Sequence, residues 1–154
     1  MRRIVRSLAC ALLMAAALST PAPAARADDR ADVEAATARW IDAFNRRAID
    51  EIVTLYADDA VFLGTSSPVL RTSPSLVREY FAGLKRLGPD ARQVLGEHRV
   101  QLLGDVAISS GFYALHRMQD GKPTESPARF TFVYQRRAGR WVIVTHHSSA
   151  LPTG

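Results

Sequence analysis

The spacing of apolar residues changes once along this chain, near Gln93, and that change limits the folds open to it. Before Gln93, apolar residues recur about every 3.6 positions, the period of a helix, whereas after it the period is two, as in strands. Turn-forming pairs at 104–105, 120–121 and 138–139 divide the second part into four strands. Helices followed by hairpin-linked strands predict an α+β domain with an antiparallel sheet.

Local signals give the expected bounds of these elements. Trp40 and Phe44 fall on one face of an amphipathic helix, and Ser73 followed by Pro74 is a typical helix start. The predicted elements are a helix over 28–47, a short helix capped by Asp50, a strand over 60–63, a helix from Ser73 to about residue 88, and strands over 98–103, 106–117, 129–136 and 141–149.

The first 27 residues have the composition of a secretory signal peptide. Residues 1–6 are basic, residues 8–18 are uncharged, and Ala25 and Ala27 are small residues at the positions that determine cleavage. The uncharged run is about half of the roughly 20 apolar residues that cross a bilayer. We therefore expect cleavage after Ala27, a periplasmic or secreted domain over 28–154, and no membrane association after cleavage. The pair Arg2-Arg3 leaves general secretion and twin-arginine export both open.

Charge and cysteine content exclude several classes of function. The chain has a formal net charge of +5, but four arginines and no acids lie in the first 27 residues, so the remainder has 16 basic against 15 acidic residues. A nearly neutral domain lacks the positive surface that nucleic acids require. Cys10, the single cysteine, lies in the predicted signal peptide, so the mature domain has no thiol for a disulfide, a thiolate metal site or a nucleophile.

The strands also bear on self-association. Residues 130–134 and 141–144 are apolar at almost every position, which predicts that both faces of the sheet are covered. Three short helices cover one face. We expect a homodimer or larger oligomer that packs sheet against sheet; coverage by the curled sheet and the chain ends is the alternative.

Common cofactor and metal motifs are missing from the sequence. There is no GxGxxG, no GxxxxGK[ST] and no GxSxG, so no cofactor is expected. His146 and His147 are adjacent, and neighbouring strand residues point to opposite faces, so they cannot share one ion. We expect no metal site.

Arg129 and His147 are the leading candidates for a binding site. No acid follows Glu125, and Arg129 begins an apolar strand, where a buried guanidinium needs a partner such as a carboxylate on a helix or on a ligand. His147 lies six residues after Trp141, which by strict alternation places both on one face. The hypothesis is that Arg129 and His147 face a common cavity between helices and sheet; a role in the core is the alternative. Tyr113, Arg71 and His146 are individually more typical of structural residues.

Two segments carry a family resemblance. Residues 130–152, which include Phe130-Thr-Phe-Val-Tyr and Trp141-Val-Ile-Val-Thr-His-His-Ser-Ser, resemble the last strands of the calcium/calmodulin-dependent protein kinase II association domain. They are still more similar to its free-standing bacterial relatives in the nuclear transport factor 2-like superfamily, which includes SnoaL-like cyclases. Trp40-Ile-Asp-Ala-Phe-Asn and Leu55-Tyr-Ala-Asp-Asp-Ala-Val resemble the start of that superfamily. The likeness covers nearly all of residues 30–152.

The resemblance implies a cone of three N-terminal helices wrapped by a curved antiparallel sheet of four to six strands, with an inner pocket and dimerisation through the sheet. It also implies that Arg129, His147 and Ser149 occupy positions where the bacterial relatives carry characteristic polar residues. Phe132 and Ser148 align with two arginines of the kinase domain, so ring assembly and that domain's ligand preference are not implied.

Two functions follow as expectations. The first is an exported oligomeric module that binds a small anionic or carboxylate ligand through Arg129, His147, Tyr113 and Ser149. The alternative is a SnoaL-like enzyme, an isomerase, cyclase or hydrolase, whose acid or base is His147 or Asp59. A purely structural oligomer is a third reading.

Overall fold

The computed structural model describes residues 24–152, with side chains from residue 28 onward. The predicted signal peptide lies outside the described residues except for the backbone of its last four, so it stays a prediction. No helix in the described part of the chain is long and apolar enough to cross a membrane.

The order of elements confirms the α+β prediction. Ser73 caps the third helix, since its Oγ accepts a hydrogen bond from the backbone N–H of Leu76, and Pro74 occupies the first helical position. The strands are longer than predicted because hairpin pairing continues through polar residues at their ends. The elements are α1 (Ala24–Asn45), α2 (Ile49–Thr54), β1 (Tyr56–Leu63), β2 (Leu70–Arg71), α3 (Pro74–Ala82), a 3₁₀ turn (Gly83–Arg86), β3 (Arg92–Leu103), β4 (Val106–Gln119), β5 (Lys122–Arg137) and β6 (Arg140–Ala150).

The six strands form one curved, open sheet in the order β2-β1-β6-β5-β4-β3. Strands β3 to β6 are the predicted antiparallel meander. Strand β1 pairs with β6 in parallel, so the sheet is mixed, and this pairing places Phe62 beside His146. The sequence did not predict the parallel pair, because it joins segments more than 80 residues apart.

The helices pack on one face of the sheet, here called the inner face. Trp40 of α1 is 2% exposed and contacts aromatic rings of both layers, among them Phe81 and Phe132. Burial of one such side chain contributes about 1.5–3 kcal/mol to folding. The inner face therefore holds an aromatic core, which positions the cavity described below.

A β-bulge in β6 reverses the direction in which its side chains point. Val133 pairs with Thr145, but Tyr134 pairs with Ile143, so Val144 is an extra residue with no partner on β5. Strict alternation from Ile143 would bring His147 inward, whereas the structure buries His146 and exposes His147. The prediction that His147 shares a face with Ile143 is therefore wrong, and the inserted residue is the reason.

A second bulge, in β3, bends the far edge of the sheet. Two residues, Gly96 and Glu97, lie opposite Phe112 of β4. Strand β3 approaches β4 so closely that a Cβ at Gly111 would lie 2.5 Å from the Cβ of His98. Only glycine fits at this point of contact.

Candidate functional site

A cavity of about 720 Å³ lies between the helices and the inner face of the sheet. This volume falls within the roughly 300–1,000 Å³ typical of small-molecule sites. Its apolar wall consists mainly of aromatic rings, including those of Trp40, Phe62 and Phe81. Its polar residues come from strands β2 to β6, from α3 with the following 3₁₀ turn, and from the segment after β1.

Arg71 brings a positive charge to the cavity. It is only 6% exposed, its Nη1 donates to Ser67 Oγ (3.0 Å) and to the Val69 carbonyl (2.9 Å), and its guanidinium carbon lies 4.8 Å from the centroid of the Tyr80 ring. Its Nε is buried and has no hydrogen-bond partner among the described residues. No carboxylate among residues 28–152 lies within salt-bridge distance of it. A buried cation without a counter-ion is energetically costly, so this one is suited to an anion in the cavity.

Hydroxyl groups form a second polar cluster. Tyr113 Oη donates to Ser148 Oγ, and Ser148 also hydrogen-bonds with Thr65 Oγ1. The Tyr113 ring is held by stacking on Phe130, with centroids 5.0 Å apart. Burial raises the pKa of Tyr113 to about 12, so the phenol stays protonated at neutral pH.

His146 is enclosed by aromatic rings. Its ring stacks on Phe62 at 4.8 Å and packs against Phe132 at 4.2 Å. Its Nδ1 lies 2.7 Å from Tyr56 Oη, which in turn accepts a hydrogen bond from Trp40 Nε1 at 3.0 Å. Its Nε2 is buried, and no residue in the described part of the chain hydrogen-bonds with it. Burial lowers the pKa of His146 to about 3, so the ring is neutral at physiological pH.

Of the four predicted ligand-binding residues, Tyr113 alone lines the interior cavity. Arg129, His147 and Ser149 lie on the opposite, outer face, where they border a shallow depression of about 490 Å³ with Phe112. Arg129 is exposed, and its Nε donates to Ser149 Oγ at 3.0 Å. Arg129 and His147 do share a face, but the expectation that this face looks toward the helices is wrong. Inward-pointing Ala128 and Phe130 put Arg129 outside, and the bulge in β6 does the same for His147.

Asp59, the other catalytic candidate, also lies outside the cavity. It is exposed on β1, and Arg137 donates to its two carboxylate oxygens at 2.6 and 3.1 Å. These hydrogen bonds lower the pKa of Asp59. A carboxylate stabilised in its charged form is a weaker base, which is the opposite of what proton abstraction requires.

Sequence reasoning missed most of the polar residues in the cavity, among them Arg71, His146 and Ser148. Arg71 and His146 read as structural residues, and Ser148 read as the loss of an arginine. Arg71 faces the cavity because it lies in the two-residue strand β2, and His146 and Ser148 face it because of the bulge at Val144. Neither feature leaves a periodic trace in the sequence, because β2 is too short and Val144 stands in an apolar run.

Metal-binding side chains are not clustered in the described part of the chain. Between residues 28 and 152, no group of three or more His, Cys, Asp or Glu side chains lies close enough to hold one ion.

Comparison with known proteins agrees with the fold. Residues 33–153 match the family model of the SnoaL-like domain. A protein from Xanthomonas campestris, described as a candidate calcium/calmodulin-dependent protein kinase II association domain, is 34% identical, with a TM-score of 0.70 over 79% of this chain and 87% of that one. No curated protein matches the chain.

Two more distant structures share the fold alone. An NTF2-like protein with a cystatin-like fold from Novosphingobium aromaticivorans is 16% identical, with a TM-score of 0.76 over 84% of this chain and 86% of that one. The CaMKII hub homology domain of Chlamydomonas reinhardtii is 19% identical, with a TM-score of 0.69 over 79% and 98%. The resemblance stated from the sequence is confirmed.

The neutral state of His146 predicts a pH-dependent stability. The pKa of His146 is about 3 in the folded chain and near 6.5 in the unfolded chain. Below pH 6.5 the unfolded chain therefore binds a proton that the folded chain does not, and stability decreases as the pH is lowered. The free energy of unfolding should lose about 2 kcal/mol from this group between pH 7.5 and 5. Urea unfolding at both pH values measures it. His146→Gln should abolish this loss, while His147→Gln, on the outer face, should retain it; equal losses in both variants would contradict the assignment.

Proposed function

The chain belongs to the SnoaL-like domain family, and we propose that it is an exported, self-associating module whose interior cavity binds a small carboxylate-bearing molecule. The main support for this proposal is the buried guanidinium of Arg71, which no carboxylate of the described residues neutralises.

The geometry of Arg71 suits a carboxylate. Both hydrogen bonds that described residues accept from its guanidinium involve Nη1. Nε and Nη2, which form the edge that pairs with a carboxylate through two parallel hydrogen bonds, have no acceptor among the described residues. The cation–π contact with Tyr80 and the hydrogen bonds of Nη1 hold the guanidinium in place before a ligand arrives, which lowers the entropic cost of binding.

Unsatisfied polar atoms support the same cavity. Within the described residues, four buried side-chain nitrogens lack a hydrogen-bond partner, and three of them, in Arg71, Arg117 and His146, belong to residues that line the cavity. Buried polar groups are nearly always paired in folded proteins. A cluster of unpaired donors around one cavity favours a ligand with acceptor oxygens.

Binding is favoured over the enzyme alternative. Asp59 and His147 lie outside the cavity, and the carboxylate that described residues contribute to its wall, Glu79, is exposed. A general base needs a pKa near the working pH, whereas burial lowers the pKa of His146 to about 3. His146 is therefore a weak base.

Self-association is proposed through the outer face of the sheet. Val61, Leu63 and Phe112 are 36%, 38% and 48% exposed there, next to the depression that holds Arg129 and His147. A second copy of the chain would cover this apolar surface. The similar proteins described as an association domain and a hub homology domain support such assembly.

Arg71 should determine affinity for carboxylates. Calorimetry with benzoate and the neutral, similarly shaped benzamide should show preference for benzoate in the wild type. Arg71→Gln should weaken benzoate binding by about 10- to 100-fold, since hydrogen bonds to charged groups contribute about 1.5–3 kcal/mol. Arg129→Gln, on the outer face, is the matched control and should bind normally. Loss of binding in the control variant alone would move the site to the outer face.

A charge on the outer face should disrupt the oligomer. Light scattering after size exclusion should give a dimer or larger species for the wild type and a monomer for Phe112→Asp, because burying an unpaired carboxylate in an apolar interface is unfavourable. Leu103→Asp, at the β3–β4 turn and 61% exposed, should leave the assembly intact. A monomeric wild type at micromolar concentration would refute this part of the proposal.

Export should leave a mature chain that begins at Asp28. Expression with residues 1–27 present, followed by fractionation and intact-mass measurement, should find the shorter chain outside the cytoplasm. Ala27→Leu places a large residue at the cleavage position and should retain the precursor mass. An uncleaved wild type in the cytoplasm would show that these residues are not a signal peptide.

A further inference from the structure

Three side chains, Trp40, Tyr56 and His146, form a hydrogen-bonded relay that ends at the cavity. Trp40 Nε1 and Tyr56 Oη are 3.0 Å apart, and Tyr56 Oη and His146 Nδ1 are 2.7 Å apart. An indole nitrogen can only donate, so Tyr56 accepts from Trp40. The remaining question is which partner donates between Tyr56 and His146.

Counting donors and acceptors answers it. If Nδ1 carried the proton and donated to Tyr56, the Tyr56 hydroxyl hydrogen and the Nε2 lone pair of His146 would both be buried without partners. If Tyr56 donates to Nδ1, the relay is complete and a single group, Nε2–H, is left over. Burial also raises the pKa of Tyr56, so its proton is retained. The relay therefore fixes His146 as a neutral ring with its proton on Nε2.

The unpartnered Nε2–H group is a donor without a charge. His146 lines the cavity and is 1% exposed, and its neighbours Phe62 and Phe132 offer no acceptor oxygen. An anionic oxygen placed among these rings would lose its hydration without gaining a cation. A neutral acceptor such as a carbonyl oxygen would satisfy the donor at a smaller desolvation cost.

Strand pairing gives the spacing between the backbone positions of Arg71 and His146. Arg71 pairs with Phe62, and Phe62 pairs with His146, on the adjacent strands β2, β1 and β6. Neighbouring strands are about 4.8 Å apart, so the Cα atoms of Arg71 and His146 lie roughly 10 Å apart with Phe62 between them. The Phe62 ring also meets Tyr80 at 4.9 Å, so the span between cation and donor is apolar.

We propose that the cavity selects molecules that carry a neutral hydrogen-bond acceptor of the carbonyl type across an apolar, flat spacer from their carboxylate, and that His146 Nε2–H is the group that recognises the acceptor. This inference rests on the proposed function, in which Arg71 holds the carboxylate. His146 is then a specificity-determining residue, and Tyr56 is a positioning residue that acts through it.

A matched pair of probes tests the selectivity. In 4-acetylbenzoate a ketone lies across a benzene ring from the carboxylate, and in 4-isopropenylbenzoate a CH₂ group replaces the ketone oxygen at similar shape. Calorimetry on the wild type should give about tenfold tighter binding of the ketone, the order of effect of one buried hydrogen bond. His146→Phe keeps an aromatic ring without the donor and should bind both probes equally, whereas His147→Phe should keep the preference.

A spectroscopic measurement tests the tautomer without any ligand. Long-range ¹H–¹⁵N correlation spectra at pH 7 should show the His146 proton on Nε2 in the wild type. Tyr56→Phe removes the donor to Nδ1 and should give a mixture of tautomers together with a weaker preference for the ketone. This readout on the wild type decides the assignment of the donor even where His146→Phe fails to fold.

The outcomes separate this inference from the proposed function. Equal wild-type affinity for the two probes, with binding still lost in Arg71→Gln, overturns the role of His146 and leaves the carboxylate site standing. A proton on Nδ1 in the wild type also overturns it. Failure of both probes to bind the wild type, or binding that survives Arg71→Gln, overturns the proposed function and with it this inference.

Discussion

The unpaired residue Val144 determines which side chains of the last strand meet the cavity. Without it, strict alternation from the buried Ile143 would place His147 and Ser149 against the helices. With it, His146 and Ser148 point inward. Since β6 lies between β1 and β5, one inserted residue sets the polar chemistry at the centre of the inner face, including the hydrogen bonds of His146 with Tyr56 and of Ser148 with Tyr113.

The interior contains two kinds of buried polar group, and their difference identifies the cavity. Thr37 hydrogen-bonds with Tyr134 and with Ser109, so this cluster between α1 and the sheet is satisfied within the protein. By contrast, Arg71 and His146 each keep a buried nitrogen that no described residue hydrogen-bonds. An unsatisfied buried donor costs about 1–3 kcal/mol. This contrast between the two sets of buried polar groups is the basis for the proposal that the cavity binds a molecule with acceptor oxygens.

The sequence predicted the fold far better than the site, for a physical reason. Periodicity, the cap at Ser73 and the turn-forming pairs are local signals, and they predicted the helices and the meander. The face on which a strand residue lies depends on the alternation of side chains along the strand. Residues 142–144 are all apolar, so the sequence does not show where the bulge shifts this alternation. Arg71 lies in the two-residue strand β2, which is defined only by its pairing with β1. Both features are consequences of tertiary pairing.

Ligand binding is proposed for the inner face of the sheet and self-association for the outer face. Adjacent residues of β6 belong to the two faces in turn. His146 and Ser148 contact the interior, while His147 and Ser149 border the outer depression. Backbone pairing holds these four residues at fixed spacing against Phe132, Thr131, Phe130 and Arg129 of β5. A contact on the outer face therefore constrains the same backbone that positions the interior donors. Arg129 and His147, which the sequence predicted to line the cavity, lie instead on the surface proposed for assembly. Each is adjacent in sequence to a residue that does line the cavity.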